Sequence, residues 1–473
     1  MTPLPDRSRL SWGVASAAYQ VEGAATEDGR GPSIWDTFAA RPGAVVDGSD
    51  GAVACDSYHR LDEDVELVAG LGVDHYRFSI AWPRVQPSGS GAVEPHGLDY
   101  YQRLVDRLLE RDIAPMATLY HWDLPQPLED ADGWVNRDTS ARFADYAALV
   151  HERLGDRVGL WATHNEPWCA AYVGYGSGRH APGRQLGDRT HVTAHHLLLG
   201  HGLAATRLHD AGADAVGIVL NLTPVWPDRP EAAEVADGVD AIRNRIWLGP
   251  LVDGAYDDGT LKVAPVLADP SVVRDGDLAL VRGSADWLGV NYYTPARVDL
   301  VSAGSTTETA SAGSTGVAEP AETTGGDAGV EEFPGVAPFR FTPRPPLTDI
   351  GWEVEPRGLE ELLVETHRRT GLPLLVTENG AAFPDTTRTA EGEVDDQDRV
   401  GYLSDHMAAV ERAREQGADV RGYVLWTLMD NFEWAEGYTK YFGIVHVDRD
   451  TLVRTPKASY HWYAERVRAS REP

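Results

Sequence analysis

Apolar positions along this chain follow two rhythms that alternate with one another. Tyr58, Leu61, Val65 and Val68 are three or four residues apart, which places them on one helical face. Gly70 and Gly72 are expected to interrupt that helix, and His75 to Ile80 then reads as a strand. The pattern repeats at once: Tyr101, Leu104, Val105, Leu108 and Leu109 form a stripe, and Ile113 to Tyr120 is the strand that follows. Further strands are predicted at Ser11–Ala15, Gly159–Thr163, Ala215–Leu220, Trp287–Asn291, Leu374–Thr377 and Arg421–Leu425.

These eight strands are separated by enough chain for at least one helix each. They predict an α/β fold, a (β/α)8 TIM barrel with elaborated βα loops, with an open doubly wound sheet as the alternative. Residues 1–473 are read as a single domain. Ser302 to Gly335 breaks the alternation: it is rich in Gly, Ser, Thr, Ala and Glu, without an apolar period, and reads as a flexible loop insertion. It is either a lid over the barrel mouth or an inert insertion.

Charge narrows the partners. Forty-two Lys and Arg against 73 Asp and Glu leave a net charge of −31. Such a field repels nucleic acid and anionic bilayers and tolerates an uncharged small molecule; it equally fits a solubility adaptation. Only two cysteines occur, Cys55 and Cys169, so a reducing, cytoplasmic setting is expected. The first ten residues lack the apolar run of a signal peptide, and no stretch of about 20 apolar residues suggests a membrane span. The oligomeric state stays open.

In a barrel of this kind, chemistry gathers where strands end and βα loops begin. Two strand ends carry a glutamate. The fourth runs into His164-Asn165-Glu166-Pro167, and the seventh into Thr377-Glu378-Asn379-Gly380. Pro167 is expected to keep Glu166 extended at its strand tip, and Asn379-Gly380 to turn the chain after Glu378. A single glutamate there is commonly a helix cap or surface ion pair. Two such tips, each beside an Asn, point to paired carboxylates in a barrel mouth, and the residues alone lead no further.

Several longer motifs accompany them: Trp12-Gly13 with Ala17 to Gly23, Tyr76 to Ser79, Thr118 to Pro125, Asn165 to Trp168, Asn291 to Tyr293, Thr377 to Gly380, and Asn431 to Trp434. In this order, over about 420 residues, they resemble glycoside hydrolase family 1, the β-glucosidase family. The resemblance implies a retaining β-glycosidase, most simply a β-glucosidase that works without cofactor or metal on a small β-glycoside. It implies Glu378 as nucleophile and Glu166 as acid/base, about 5–5.5 Å apart. Arg77 and Tyr293 would attend the nucleophile. Gln20, His121, Asn165, Asn291 and Glu433 would bind sugar hydroxyls, with Trp426 and Trp434 as apolar walls. Glu433 also argues against a 6-phosphosugar, because a carboxylate there would repel the phosphate.

Two residues near the acid/base motif depart from or extend the pattern. His164 stands where the family usually has an apolar residue such as Phe; it either packs as a hydrogen-bonded histidine or touches Glu166. Cys169 is read as buried and inert. His191 and His195 share a helical face without a complete ligand set, so no metal site is expected. Gly174 to Gly178 mimics half of a dinucleotide fingerprint and is read as a loop. A non-catalytic sugar-binding barrel and a transglycosylase using the same residues are the rival readings.

Overall fold

A computed structural model of the chain describes residues 4–301, 330–390 and 392–471. Eight strands form its centre: β1 (Ser11–Ala15), β2 (His75–Ser79), β3 (Ala114–Tyr120), β4 (Leu160–Asn165), β5 (Val216–Leu220), β6 (Trp287–Asn291), β7 (Leu374–Asn379) and β8 (Val420–Trp426). Each pairs in parallel with its neighbours in sequence, and β8 pairs with β1 to close the ring. The closed barrel removes the open-sheet alternative.

Nearly every strand residue is buried because side chains fill the barrel on one face and meet helices on the other. On β4, Leu160 and Ala162 share an apolar cluster with Met116, Val219, Trp287 and Leu375, whereas Trp161 between them packs in the larger outer cluster. This alternation divides barrel interior from helical shell. The helix predicted to carry Tyr58 spans Leu61–Leu71, so Tyr58 precedes it. Gly70 lies inside that helix, where the Tyr460 hydroxyl leaves no room for a side chain. Gly72 alone ends it, in left-handed geometry at φ 68°.

Register is regular around most of the ring. The shifts occur on β4, between Ala162 and Asn165, and on β7, between Leu374 and Leu375 and above Val376. The upper irregularities lie beneath the two glutamates, and bulges of this kind re-aim side chains near sites of chemistry. They also carry both strands two residues beyond their predicted ends.

Most of the predicted loop insertion, residues 302–329, lies outside the described residues. Its final stretch is packed. Val330–Glu332 forms a short 3₁₀ turn, Phe333 is buried against Trp168 and Phe339, and Glu332 pairs with Arg179. No helix among the described residues is long and apolar enough to cross a membrane.

Candidate active site

The site is built from the C-terminal ends of the strands. β2 contributes Arg77, whose guanidinium lies inside the barrel with 1% exposure. One arm donates to Glu378 Oε1 at 2.5 Å, and the other to Asn165 Oδ1 at 2.7 Å. Its Nε donates to Thr118 Oγ1 on β3 at 3.2 Å, fixing the plane of the fork. The Tyr293 hydroxyl donates to Glu378 Oε2 at 2.6 Å. Both oxygens of Glu378 are therefore held by donors, one a permanent cation, an arrangement that stabilises an anion.

Glu166 meets different neighbours. Asn291 Nδ2 donates to its Oε1 at 2.7 Å, and the Cys169 thiol donates to its Oε2 at 3.2 Å. No cation forms an ion pair with it among the described residues. Burial pushes its pKa up to about 7, and the negative charge of Glu378 adds to the rise; the two donors and the Arg243 cation act in the opposite direction. The two carboxyls thus belong to one network. Asn291 donates to both Glu166 and Asn165, and Arg77 donates to both Asn165 and Glu378. Thr377 fixes Asn291 by donating to its Oδ1 at 2.7 Å.

The expectation that Pro167 keeps Glu166 extended is corrected by the backbone. Glu166 has φ 44°, in the left-handed region. Its N–H still bonds Val219 O across the sheet, while its own carbonyl accepts from Cys169 N. The chain changes from strand to helix within one residue, and Pro167 blocks only the right-handed helical solution there. At the other tip, Gly380 is required by space: a side chain would approach the Trp426 carbonyl oxygen to 1.8 Å.

The remaining predicted residues line an adjoining wall. Asn165 Oδ1 faces Arg77 and Asn291, so its amide faces His121 and donates to Nε2 at 3.0 Å. Burial, with the Arg77 charge, holds His121 far below the usual histidine range. The neutral ring therefore carries its hydrogen on Nδ1. It lies 5.9 Å from both Trp426 and Trp434 at an interplanar angle of 19°. Gln20 Nε2 donates to Asn431 Oδ1 and to Phe432 O, tying the first βα loop to the last. Gln20 Oε1, Asn431 Nδ2 and Glu433 Oε2 are buried without a hydrogen-bond partner among the described residues. Burial and the charges of Glu378, Glu436 and Glu166 push Glu433 up to about 8.

These contacts bring the predicted residues into one site. The sequence as a whole leads to the same place, because residues 5–472 match the model of glycosyl hydrolase family 1.

The chain belongs to glycosyl hydrolase family 1.

Within that family it is 46% identical to thermostable β-glucosidase B of Thermobispora bispora over 97% of this chain and 89% of that one. It is 43% identical to the bifunctional β-D-glucosidase/β-D-fucosidase of Bifidobacterium breve, with 96% of each covered. The crystal structure of a psychrophilic β-glucosidase from Micrococcus antarcticus superposes with a TM-score of 0.90 at 45% identity, covering 99% of this chain and 98% of that one. A Thermotoga maritima β-glucosidase in complex with deoxynojirimycin gives 0.87 at 36% identity, with both chains fully covered.

Other expectations for this family 1 chain meet the structure unevenly. His164 is buried, donates from Nε2 to Leu197 O at 3.0 Å and stacks 4.5 Å from Phe143; among its contacts there is none to Glu166. Cys169 is half-buried where full burial was expected, and its thiol donates to Glu166. Cys169–Ser177 forms a π-helix, which corrects the loop assigned to Gly174–Gly178. His191 meets Tyr172, and His195 meets Asp277 and Tyr256. Arg243 was not anticipated: it lies on Ala241–Arg245 with its guanidinium 3.9 Å from the Trp168 ring. No motif marks it, and only the packing of that segment against Trp168 brings it near Glu166.

Proposed function

We propose that this family 1 glycoside hydrolase is a retaining β-glucosidase in which Glu378 is the nucleophile and Glu166 the acid/base. One observation carries the reading: two glutamates at strand tips share a network while Arg77 attends one and burial pushes the other up to about 7. In the first step Glu378 attacks the anomeric carbon as the bond to the leaving oxygen breaks. Glu166 gives that oxygen its proton, and the aglycone departs. In the second step Glu166 takes a proton from water, the water oxygen attacks the same carbon, and Glu378 is released. Two inversions give retention.

Arg77 and Tyr293 hold and orient Glu378 before attack. Asn165 has a second amide hydrogen to offer the sugar 2-hydroxyl, a contact that strengthens as positive charge develops. Gln20, His121 and Glu433 take the other hydroxyls, Asn291 supports Glu166, and Trp426 with Trp434 covers the apolar sugar face. The carboxylate charges that help push Glu433 up to about 8 also oppose a phosphate group on the sugar. Substrates are therefore unphosphorylated β-glucosides, including short cello-oligosaccharides of cellulose breakdown. The resemblance to the Bifidobacterium breve enzyme supports β-fucosidase activity as a second reading. Unbridged Cys55 and Cys169 support a cytoplasmic setting.

Nitrophenol release from a panel of nitrophenyl β-glycosides, with proton NMR of the first-formed sugar, tests this reading. The glucoside is expected to be cleaved, with β-glucose appearing before mutarotation. No release, or α-glucose appearing first, would overturn it.

A further inference from the structure

Cys169 follows Glu166 by three residues, on the first turn of the π-helix. Its sulfur is 3.2 Å from Glu166 Oε2 and 3.2 Å from Asn221 Nδ2, just beyond β5. The Asn221 amide can only donate, so it occupies a sulfur lone pair and leaves the thiol hydrogen directed at the carboxylate. Among the described residues, Cys169 is the donor to Oε2, while Asn291 holds Oε1.

The reaction asks Glu166 to be an acid in one step and a base in the next. The Asn291 amide serves Oε1 in both forms only if the proton of the acid sits on Oε2. A thiol suits both forms: it donates to a carboxylate and, after rotation about its Cβ–Sγ bond, accepts from a carboxylic acid. Sulfur is also a weak acceptor, so it does not compete strongly with the glycosidic oxygen for the proton. Packing that desolvates the sulfur of this half-buried residue, with the neighbouring carboxylate, holds the Cys169 thiol protonated, which preserves its hydrogen throughout.

We propose that Cys169, oriented by Asn221, is a positioning residue for Glu166 that donates to Oε2 of the base and accepts from Oε2 of the acid. This rests on Glu166 being the acid/base. Other charged or titratable groups also face the pair. They are Glu378 at the end of β7, Glu433 in the loop after β8, Tyr293 after β6, Arg243 after β5 and Glu332 on the returning turn. None of them donates to Oε2 among the described residues, so removing the thiol changes that oxygen directly.

The test is the pH profile of kcat/KM on an aryl β-glucoside for the native enzyme, Cys169→Ala and Cys169→Ser. Loss of a donor to the carboxylate should move the alkaline limb of Cys169→Ala upward by roughly half a pH unit. The limb should return to the native position or below it in Cys169→Ser, whose hydroxyl donates more strongly. The acid limb should stay in place. If Cys169→Ala fails to fold, Asn221→Leu, which frees the thiol hydrogen to turn away, should produce the same upward movement. Alkaline limbs that coincide in all folded variants, with only rate or melting temperature altered, would overturn the proposal and leave the Glu166 assignment standing. Glu166→Gln with a dinitrophenyl glucoside checks that assignment separately. Its alkaline limb should vanish, and a limb that persists would overturn both.

Discussion

The ends of β4 and β7 present the same side chain in opposite electrical surroundings. At β7, Glu378 receives Arg77 on one oxygen and Tyr293 on the other. At β4, Glu166 receives an amide and a thiol, and burial beside a second carboxyl pushes it up to about 7. The separation does not come from the residues themselves but from which strand faces which: Arg77 on β2 reaches across the barrel interior to β7. A closed barrel makes this possible, because all eight strand ends converge on one mouth. One network can then place a cation on one carboxyl and leave its neighbour able to carry a proton.

The contrast is broken most severely by removing either carboxyl. Glu378→Ala should lower kcat by about 10⁴-fold or more, and added azide should restore turnover with α-glucosyl azide as product. Glu166→Ala should cost about 10²–10⁴-fold with poor leaving groups and far less with dinitrophenolate. Azide should there yield the β-glucosyl azide, because it attacks the covalent intermediate from the opposite side. Identification of the two azides by NMR distinguishes the roles, and the same anomer from both variants would remove the distinction.

A smaller perturbation leaves both carboxyls in place. Tyr293→Phe removes one donor from Glu378 while Arg77 stays, and should lower kcat/KM by about 10²-fold. A change within twofold would show that Arg77 alone sets the nucleophile. Least affected should be His164→Phe. The residue lies on β4 near Glu166 but faces Leu197 and Phe143, and its Nδ1 is buried without a partner. Phenylalanine removes that unmet atom at the loss of one hydrogen bond, so melting should change by the equivalent of about 1 kcal/mol or less, and the pH profile should not move. A displaced alkaline limb would place His164 in contact with the acid/base network.

Much of this arrangement was legible in the chain. Hydrophobic rhythm located all eight strands, with Ser11–Ala15 and Trp287–Asn291 matching their observed bounds. It stopped short at Thr163 and Thr377, where the observed strands continue to Asn165 and Asn379. A bulge is a relation between two strands, and one strand's alternation does not report it. The left-handed turn at Glu166 was hidden for a related reason: a following Pro excludes the right-handed helix without choosing between the extended and left-handed alternatives. Gly70 misled because a glycine inside a helix and one that ends it look alike until Tyr460 packs against the first. The site residues were carried by motifs. Cys169, Asn221 and Arg243 acquire their places only when β5 and its following segment close on the π-helix.

The opposed states of Glu166 and Glu378 are tested most directly by trapping the covalent step. A 2-deoxy-2-fluoro-β-glucoside with a dinitrophenyl leaving group slows both steps, the second more in effect because the first has an activated leaving group. Mass spectrometry of the inactivated protein and its peptides should show one fluoroglucosyl group per chain, bound to Glu378. A label on Glu166, or complete inactivation without any covalent adduct, would contradict the account.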